Sequence, residues 1–310
     1  MTPKIVVVGS LNMDLVTRTP RIPVPGETII GREFFTAPGG KGANQAVAAA
    51  RMAARVSMVG RVGDDDFGPA LRATLAADGV DCTYVFTDEN AATGIASILV
   101  DDAGQNSIVV APGANARLTP ADVEQAEAAI ARADVLLLQL EVPLETVTCA
   151  AEVARRHGVT VVLNPAPARS DLDALLPLVD ILIPNESEAA LLTGLSADAT
   201  VAVESTIEAL RDVGVDVVIL TLGAQGALLA QPEGVQHIPA FPVQPVDTTA
   251  AGDAFVGGFA VALAEKKPLA QAVRWGNAAG GLATMGLGAQ PSLPKRQAVL
   301  DLITQGGETS

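Results

Sequence analysis

The sequence predicts an α/β protein: a doubly wound, mainly parallel sheet flanked by helices, carrying a small β-sheet lid. Three observations predict it. Short β-branched runs alternate with Ala-rich helical stretches along the chain, the order of doubly wound folds. The runs are apolar almost without interruption, as strands covered on both faces must be. Two stretches break this order and bring prolines and strand-like pieces of their own.

The buried strands are read at Ile5–Val8, Val56–Val59, Val135–Gln139, Thr160–Asn164, Ile181–Pro184 and Val217–Thr221. Thr119 and Pro120 supply an N-cap and a proline at the first helical position, predicting a helix through Ala131. A further helix covers Pro143–His157, closed by Gly158. The exceptions lie at about 14–38 and 93–111. The first holds Pro20, Pro23, Pro25 and Pro38 around the strand-like Glu27–Ile30. The second reads as strands Thr93–Val100 and Ser107–Ala111 around a turn at Asp101–Gly104. Both are assigned to the lid, inserted into one domain spanning 1–310. Ile95, Ala96, Ile98, Leu99 and Val100 are apolar on both alternating faces, so the lid needs cover from substrate or a second subunit. Gly306–Ser310 reads as frayed.

Composition bounds the function. The 310 residues suit one large domain, and 49% are apolar, enough for a sizeable core. A net charge of -15 repels phosphate backbones and anionic lipid, which argues against nucleic acid or membrane as partners. A phosphate-handling site must then build positive potential locally, from helix N-termini, a Lys and metal ions. Cys82 and Cys149 make neither a disulfide framework nor a zinc site. The segment before Ile5 is too short for a signal peptide, and no apolar run reaches membrane-spanning length. A cytoplasmic protein is expected.

Four segments carry candidate chemistry. Pro38-Gly39-Gly40-Lys41-Gly42-Ala43-Asn44-Gln45-Ala46 puts three glycines before a helix, whose free N–H groups make an anion- or hydroxyl-binding end. A tight strand-to-helix turn explains the spacing as well. Asp247-Thr248-Thr249-Ala250-Ala251-Gly252-Asp253 opens an apolar helix. Small residues there expose N–H donors toward one point, a geometry suited to a transferring phosphoryl group. Asp253 can take the proton of an attacking hydroxyl; it is equally a favourable first-turn acid. Thr221-Leu222-Gly223-Ala224-Gln225-Gly226 allows a tight turn against a nucleotide, or is a hairpin turn. Asn185-Glu186-Ser187-Glu188 places two polar groups near phosphate and magnesium, or is a helix cap.

No phosphate-binding G-x-x-x-x-G-K-[ST] loop and no G-x-G-x-x-G opening of the first helix are present. His157 falls at a helix C-terminus and His237 in a strand-like run near the surface, so proton chemistry falls to a carboxylate. Asp64-Asp65-Asp66 reads as a solvated loop or helix start.

Together these segments resemble the ribokinase family of sugar kinases, the phosphofructokinase B type. Both family signatures are present, Gly39–Asn44 and Asp247–Asp253, and the resemblance covers nearly the whole chain in order. Gly9-Ser10-Leu11-Asn12-Met13-Asp14, Gln139-Leu140-Glu141, Asn164-Pro165-Ala166-Pro167-Ala168 and Gly288-Ala289-Gln290-Pro291-Ser292 are similar to members that act on ribose. The resemblance implies ATP-dependent phosphorylation of ribose at its 5-hydroxyl. A kinase for 2-deoxyribose, fructose or a nucleoside, or a non-catalytic sensor on the same fold, are the alternatives. Asn12, Asp14, Gly40, Lys41, Asn44 and Glu141 would hold the sugar hydroxyls. Asp253 would be the base and also touch the sugar. Asn185, Thr221, Gly223, Gly226, Gly252 and Asn277 would line the ATP site. Ala250, Ala251 and Gly252 would form the anion hole for the γ-phosphate. Magnesium would arrive on ATP, near Glu188 through water. Potassium would sit beside the anion hole, held by Asp247, Thr249, Ala283, Gly286, Gly288 and Ser292. A homodimer joined through the lid is implied as well.

Overall fold

A computed structural model describes residues 2–195, 203–212 and 214–306. The expected frayed end lies, beyond Gly306, outside the described residues. The main sheet holds β1 (Lys4–Val8), β4 (Arg55–Gly63), β5 (Asp81–Asp88), β8 (Val135–Leu138), β9 (Thr160–Leu163), β10 (Ile181–Leu182), β11 (Val217–Thr221), β12 (Ala227–Gln231) and β13 (Gly234–Ile238). The lid sheet holds β2 (Asn12–Arg18), β3 (Glu33–Gly39), β6 (Gly94–Val100) and β7 (Asn106–Ala111). The helices are α1 (Lys41–Arg51), α2 (Phe67–Ala77), α3 (Pro120–Gln125), α4 (Glu127–Ile130), α5 (Leu144–Arg156), α6 (Glu186–Thr193), α7 (Val203–Asp212), α8 (Ala251–Ala264), α9 (Leu269–Ala283), α10 (Ala289–Ser292) and α11 (Arg296–Gln305).

The main sheet runs β13-β12-β11-β10-β9-β8-β1-β4-β5, with parallel neighbours except at the β11-β12-β13 edge. Each face packs its own apolar core. One contains Ile5, Val7, Met58 and Phe259; the other Val6, Val8, Leu136 and Leu138. This is why β1 reads as a continuous apolar run: successive residues alternate between two cores. From β1 the chain winds first toward β5, then returns to wind the other way from β8. Strand order therefore reverses at β1/β8, where ligand crevices of such sheets open beyond the carboxyl ends. Gly9, Gln139 and Asn164 follow the strands that end there.

The lid runs β3-β2-β6-β7. It differs in detail from the reading above. Asn12 and Asp14 lie on a lid strand, and Glu27–Ile30 is no strand. The Glu27 carboxylate accepts from the Val24 N–H and from Arg21, while the Glu27 N–H donates to Val24 O, which closes a loop instead. The helix expected from Thr119 to Ala131 breaks at the wholly buried Ala126, whose N–H bonds to Val123 O three residues back, the tight turn that ends α3. Asp65 starts α2 by accepting from the N–H groups of Phe67 and Gly68, and also receives Thr93 at the lid. The lid's far face is open: Phe34 is 63% and Val109 68% exposed. Among the described residues no helix is long and apolar enough to cross a membrane.

Candidate active site

Two helix N-termini converge beyond the β1/β8 switch. The first belongs to α1. Gly40 precedes it at φ +91°, where a Cβ would lie 2.7 Å from Asn12 N, so glycine is required twice over. The expected free N–H groups are not free. Lys41 donates to Glu141 Oε2 at 3.1 Å, Gly42 to Ser10 Oγ at 3.3 Å, Ala43 to Ser10 O at 2.9 Å and Asn44 to Gly40 O at 2.8 Å. The β1–β2 turn, together with Glu141 from beyond β8, docks against the helix end and satisfies it. What α1 offers the site is side chains: Lys41, Asn44 and Gln45.

The second belongs to α8. Ala250 precedes it in the left-handed region at φ +58°, a conformation that costs a residue with a Cβ about 1 kcal/mol or more. No side chain among the described residues caps this helix. Among the described residues the N–H groups of Gly252 and Asp253 have no partner, while Ala251 donates to Thr248 O and Ala254 to Ala250 O. Asp253 stands in this first turn, 7% exposed. Its Oδ2 accepts from Asn44 Nδ2 at 2.9 Å and its Oδ1 from Gln45 Nε2 at 3.0 Å. Burial raises its pKa above the carboxylate range. Lys41 and the two amide donors pull it down again, and Glu141 pushes it up.

Acidic groups gather around it. Asp14 is raised to about 7 by burial, then by the nearby charges of Glu141 and Asp253. Its carboxylate lies over Gly39, where a Cβ would come within 2.4 Å of it. Ser10 Oγ donates to Glu141 Oε2. Burial disfavours the Lys41 charge, but Asp253, Glu141 and Glu188 outweigh it and hold the pKa above its ordinary value. Asn12 is buried, and its Oδ1 accepts from Asn115 Nδ2 at 2.8 Å.

A cleft of about 230 Å³ opens from this centre, lined by Lys41, Asn185, Glu188, Thr221 and the stretch Ala250–Asp253. Asn185 and Glu188 form a full capping box on α6, as the cap reading of that segment expects, and both also line the cleft. Glu188 Oε2 accepts the Asn185 N–H; burial raises its pKa against the pull of that bond and of Lys41. Gly223 and Gly226, at φ +54° and +95°, shape the turn joining β11 to β12. Asn277 stands apart from the lining. It is buried in α9 and donates to the carbonyls of Ile238 and Pro239. A larger hollow of about 330 Å³ lies between exposed Lys4, Arg55 and Arg132 at the sheet's other end.

The six residues expected around potassium come together at the loop that leads into α8. Asp247 Oδ1 accepts from Thr249 N–H and Oγ, and its Oδ2 from the Gly288 N–H at 2.9 Å. The Asp247 N–H donates to Thr284 O, beside Ala283, and a Cβ on Gly286 would touch Ser292 at 2.9 Å. Burial opposes the Asp247 charge, yet its bonds from Thr249 and Gly288, with Arg18 nearby, keep its pKa below the ordinary value.

Sequence reasoning missed several residues here. Gln45 and Asn164 lie inside segments quoted for other reasons, and their polar ends beside glycine or proline were the available signal. Thr248, which lines the cleft, sits in the second motif. Asn115 gave none: it acts on Asn12 from 103 positions away.

The model of the pfkB family carbohydrate kinases matches residues 2–296. A ribokinase of Haemophilus influenzae is 45% identical, over 98% of this chain and 99% of its own. A deoxyribokinase of Salmonella typhi is 39% identical, over 94% of this chain and 95% of its own. The structure of Arabidopsis thaliana ribokinase complexed with ribose and ATP superposes with a TM-score of 0.90 at 35% identity, covering 98% of this chain and 99% of that one. The similarity spans both helix N-termini, the lid and the sheet that carries them, and this chain belongs to the pfkB family of carbohydrate kinases.

Proposed function

We propose that the protein transfers the γ-phosphoryl group of ATP to the 5-hydroxyl of D-ribose, giving ribose 5-phosphate and ADP. One observation carries this reading: a buried carboxylate, Asp253, stands in the same helical turn as two N–H groups that have no partner among the described residues. The carboxylate takes the hydroxyl proton as the oxygen attacks. Of the anion hole expected at Ala250, Ala251 and Gly252, Ala251 spends its N–H on Thr248 O. The N–H groups of Gly252 and of Asp253 beside it, with the positive end of α8 behind them, face the charge that builds on the transferring group. Catalysis is positioning plus electrostatics, as phosphoryl transfer requires.

Asn12, Asp14, Gly40, Lys41, Asn44 and Glu141 hold the sugar in this reading. Asn44 supports it directly: its Oδ1 is buried without a partner among the described residues. Leaving such an acceptor empty costs about 1–3 kcal/mol, which a sugar hydroxyl removes. The nucleotide takes the cleft past Asn185 and Thr221, with the Gly223–Gly226 turn and Asn277 at its far side.

The groups also suit the two cations. Glu188 has one oxygen engaged in the cap, leaving the other to meet magnesium through water. Magnesium supplies charge neutralisation on the phosphates when bound with ATP. Around Asp247 the donors are a carboxylate held ionised and loop carbonyls, hard oxygen ligands suited to a potassium ion. Asp247, Thr249, Ala283, Gly286, Gly288 and Ser292 would hold it, and the ion would add positive charge beside the N-terminus of α8. The exposed Phe34 and Val109 favour a homodimer formed through the lid, and the protein is proposed to work in the cytoplasm.

A second reading, phosphorylation of 2-deoxyribose, is favoured by the similarity to the deoxyribokinase. ATP turnover on free sugars and nucleosides, with the phosphate located by NMR, separates them. Ribose should have the highest specificity constant, 2-deoxyribose a lower one and hexoses lower still. A highest value for fructose or adenosine would overturn the substrate and keep the family.

A further inference from the structure

Behind Asp253 runs a chain of buried amides. Gln45 and Gln139 are both 0% exposed, so neither reaches a ligand in the cleft. The orientation of each amide follows from the next. An ionised carboxylate only accepts hydrogen bonds, so Gln45 must turn Nε2 toward Asp253, 3.0 Å from Oδ1. The same Nε2 lies 3.2 Å from Asn164 Oδ1, and Asn164 then sends its Nδ2 to Ile183 O at 3.0 Å. Gln45 Oε1 faces the other way and accepts from Gln139 Nε2 at 2.6 Å. Gln139 pays for this arrangement: its own Oε1 is buried without a partner among the described residues. A flipped Gln139 would set oxygen against oxygen, or turn Gln45 so that its oxygen met Asp253.

We propose that Gln45 and Gln139 form an orientation lock on Asp253, Gln139 fixing the amide of Gln45 and Gln45 fixing the carboxylate and favouring its ionised form. Both are positioning residues. Asn44 grips the opposite oxygen, so two donors from neighbouring positions of α1 set the plane of the carboxylate. The role as a lock for a base rests on the reading of Asp253 given above. Charged groups bear on Asp253 from four elements: Lys41 from α1, Asp14 from β2, Glu141 after β8 and Glu188 from α6. Lys41 and the amides favour its charge, while burial and the other carboxylates oppose it. Losing the Gln45 donor therefore raises the pKa of Asp253 further.

The test compares the full-length protein with Gln45→Met, Gln139→Met and the double variant. Two quantities are measured: the pH profile of kcat, and the titration of the Asp253 carboxyl carbon by ¹³C NMR, assigned by its loss in Asp253→Asn. In Gln45→Met, kcat at neutral pH should fall about tenfold to a hundredfold, the range of a misplaced reacting group. Its acid limb should move to higher pH, and the KM for ATP should hold. Gln139→Met should shift both readouts the same way by less. The double variant should be no worse than Gln45→Met, because Gln139 acts only through Gln45. An unmoved acid limb and titration in Gln45→Met, or additive losses in the double variant, would overturn the lock. If Gln45→Met does not fold, Gln139→Met gives the same two readouts one link away. Near-normal turnover in Asp253→Asn would instead overturn the base, and the NMR titration would still decide the lock.

Discussion

The N-termini of α1 and α8 meet at one centre and begin alike, yet differ in what they leave open. Gly40 at φ +91° and Ala250 at φ +58° both force the chain round a corner, and neither helix has a side-chain cap. At α1 the first four N–H groups bond to Glu141, Ser10 and Gly40. At α8 those of Gly252 and Asp253 find no partner among the described residues. The same sequence device, small residues before a helix, thus serves once as a weld and once as a receptor. Whether a neighbouring segment fills the helix end decides which.

The largest effect that would sharpen this contrast comes from the receptor. Asp253→Asn keeps the shape and loses the proton acceptor, so turnover should fall by roughly 10²–10⁴. Its melting temperature should hold or rise, since burial already disfavours the charge. Steady-state ATP consumption and a thermal melt check both halves, and near-normal turnover would remove Asp253 from its role.

One matched pair of substitutions tests the weld against the receptor. In Gly42→Ala the Cβ would sit 2.6 Å from Ser10 N and 2.7 Å from Gly9 C, backbone that cannot yield. Overpacking of this kind costs about 1–3 kcal/mol, so the melting temperature should drop clearly. In Gly252→Ala the Cβ meets nothing within 4 Å. That variant should melt no lower than the parent, since alanine favours a helix over glycine by about 0.5–1 kcal/mol. It should lose turnover, because the methyl enters the cleft that Gly252 lines. Equal melting temperatures for the two variants would break the distinction.

A cation beside the N-terminus of α8 would strengthen the receptor without touching the weld. Potassium should raise turnover over a sodium buffer by about tenfold, equivalent to roughly 1.4 kcal/mol on the barrier. Asp247→Asn should abolish the difference. Equal rates in the two salts, with stray potassium removed, would contradict the cation site.

The smallest effect is a pH dependence at the weld's edge. Asp14 titrates in the folded protein at about 7 against an ordinary 3.8. A raised folded pKa means the fold favours the protonated form. Its stabilisation is complete below about pH 4 and is lost as pH rises toward about 7. The melting temperature of wild type minus that of Asp14→Asn should therefore fall across that window. Sugar KM should fall over the same range as the ionised carboxylate becomes available to accept hydroxyls. A flat difference in melting temperature would show that Asp14 is not held in its neutral form.

Much of this molecule is local and could be read in advance. β1, β8 and β11 are continuous apolar runs because both their faces are buried, and that pattern survives in one dimension. The α5 boundaries at Pro143 and Gly158 and the polar ends of the α6 cap are decided within a few residues. The lid was legible only in part. Glu27–Ile30 has strand composition, but a carboxylate bonding back to Val24 and Arg21 outweighs it.

The sequence alone determined the β/α alternation, the glycine-marked corners and the carboxylate in the first turn of α8, because each depends on neighbours along the chain. Tertiary structure decided which helix end stayed open, since Ser10 and Glu141 reach α1 from other strands. It also decided that Gln45, 208 positions from Asp253, holds that carboxylate, and that Asn115 orients Asn12. A hydrogen bond is set by distance in space, and sequence records only distance along the backbone.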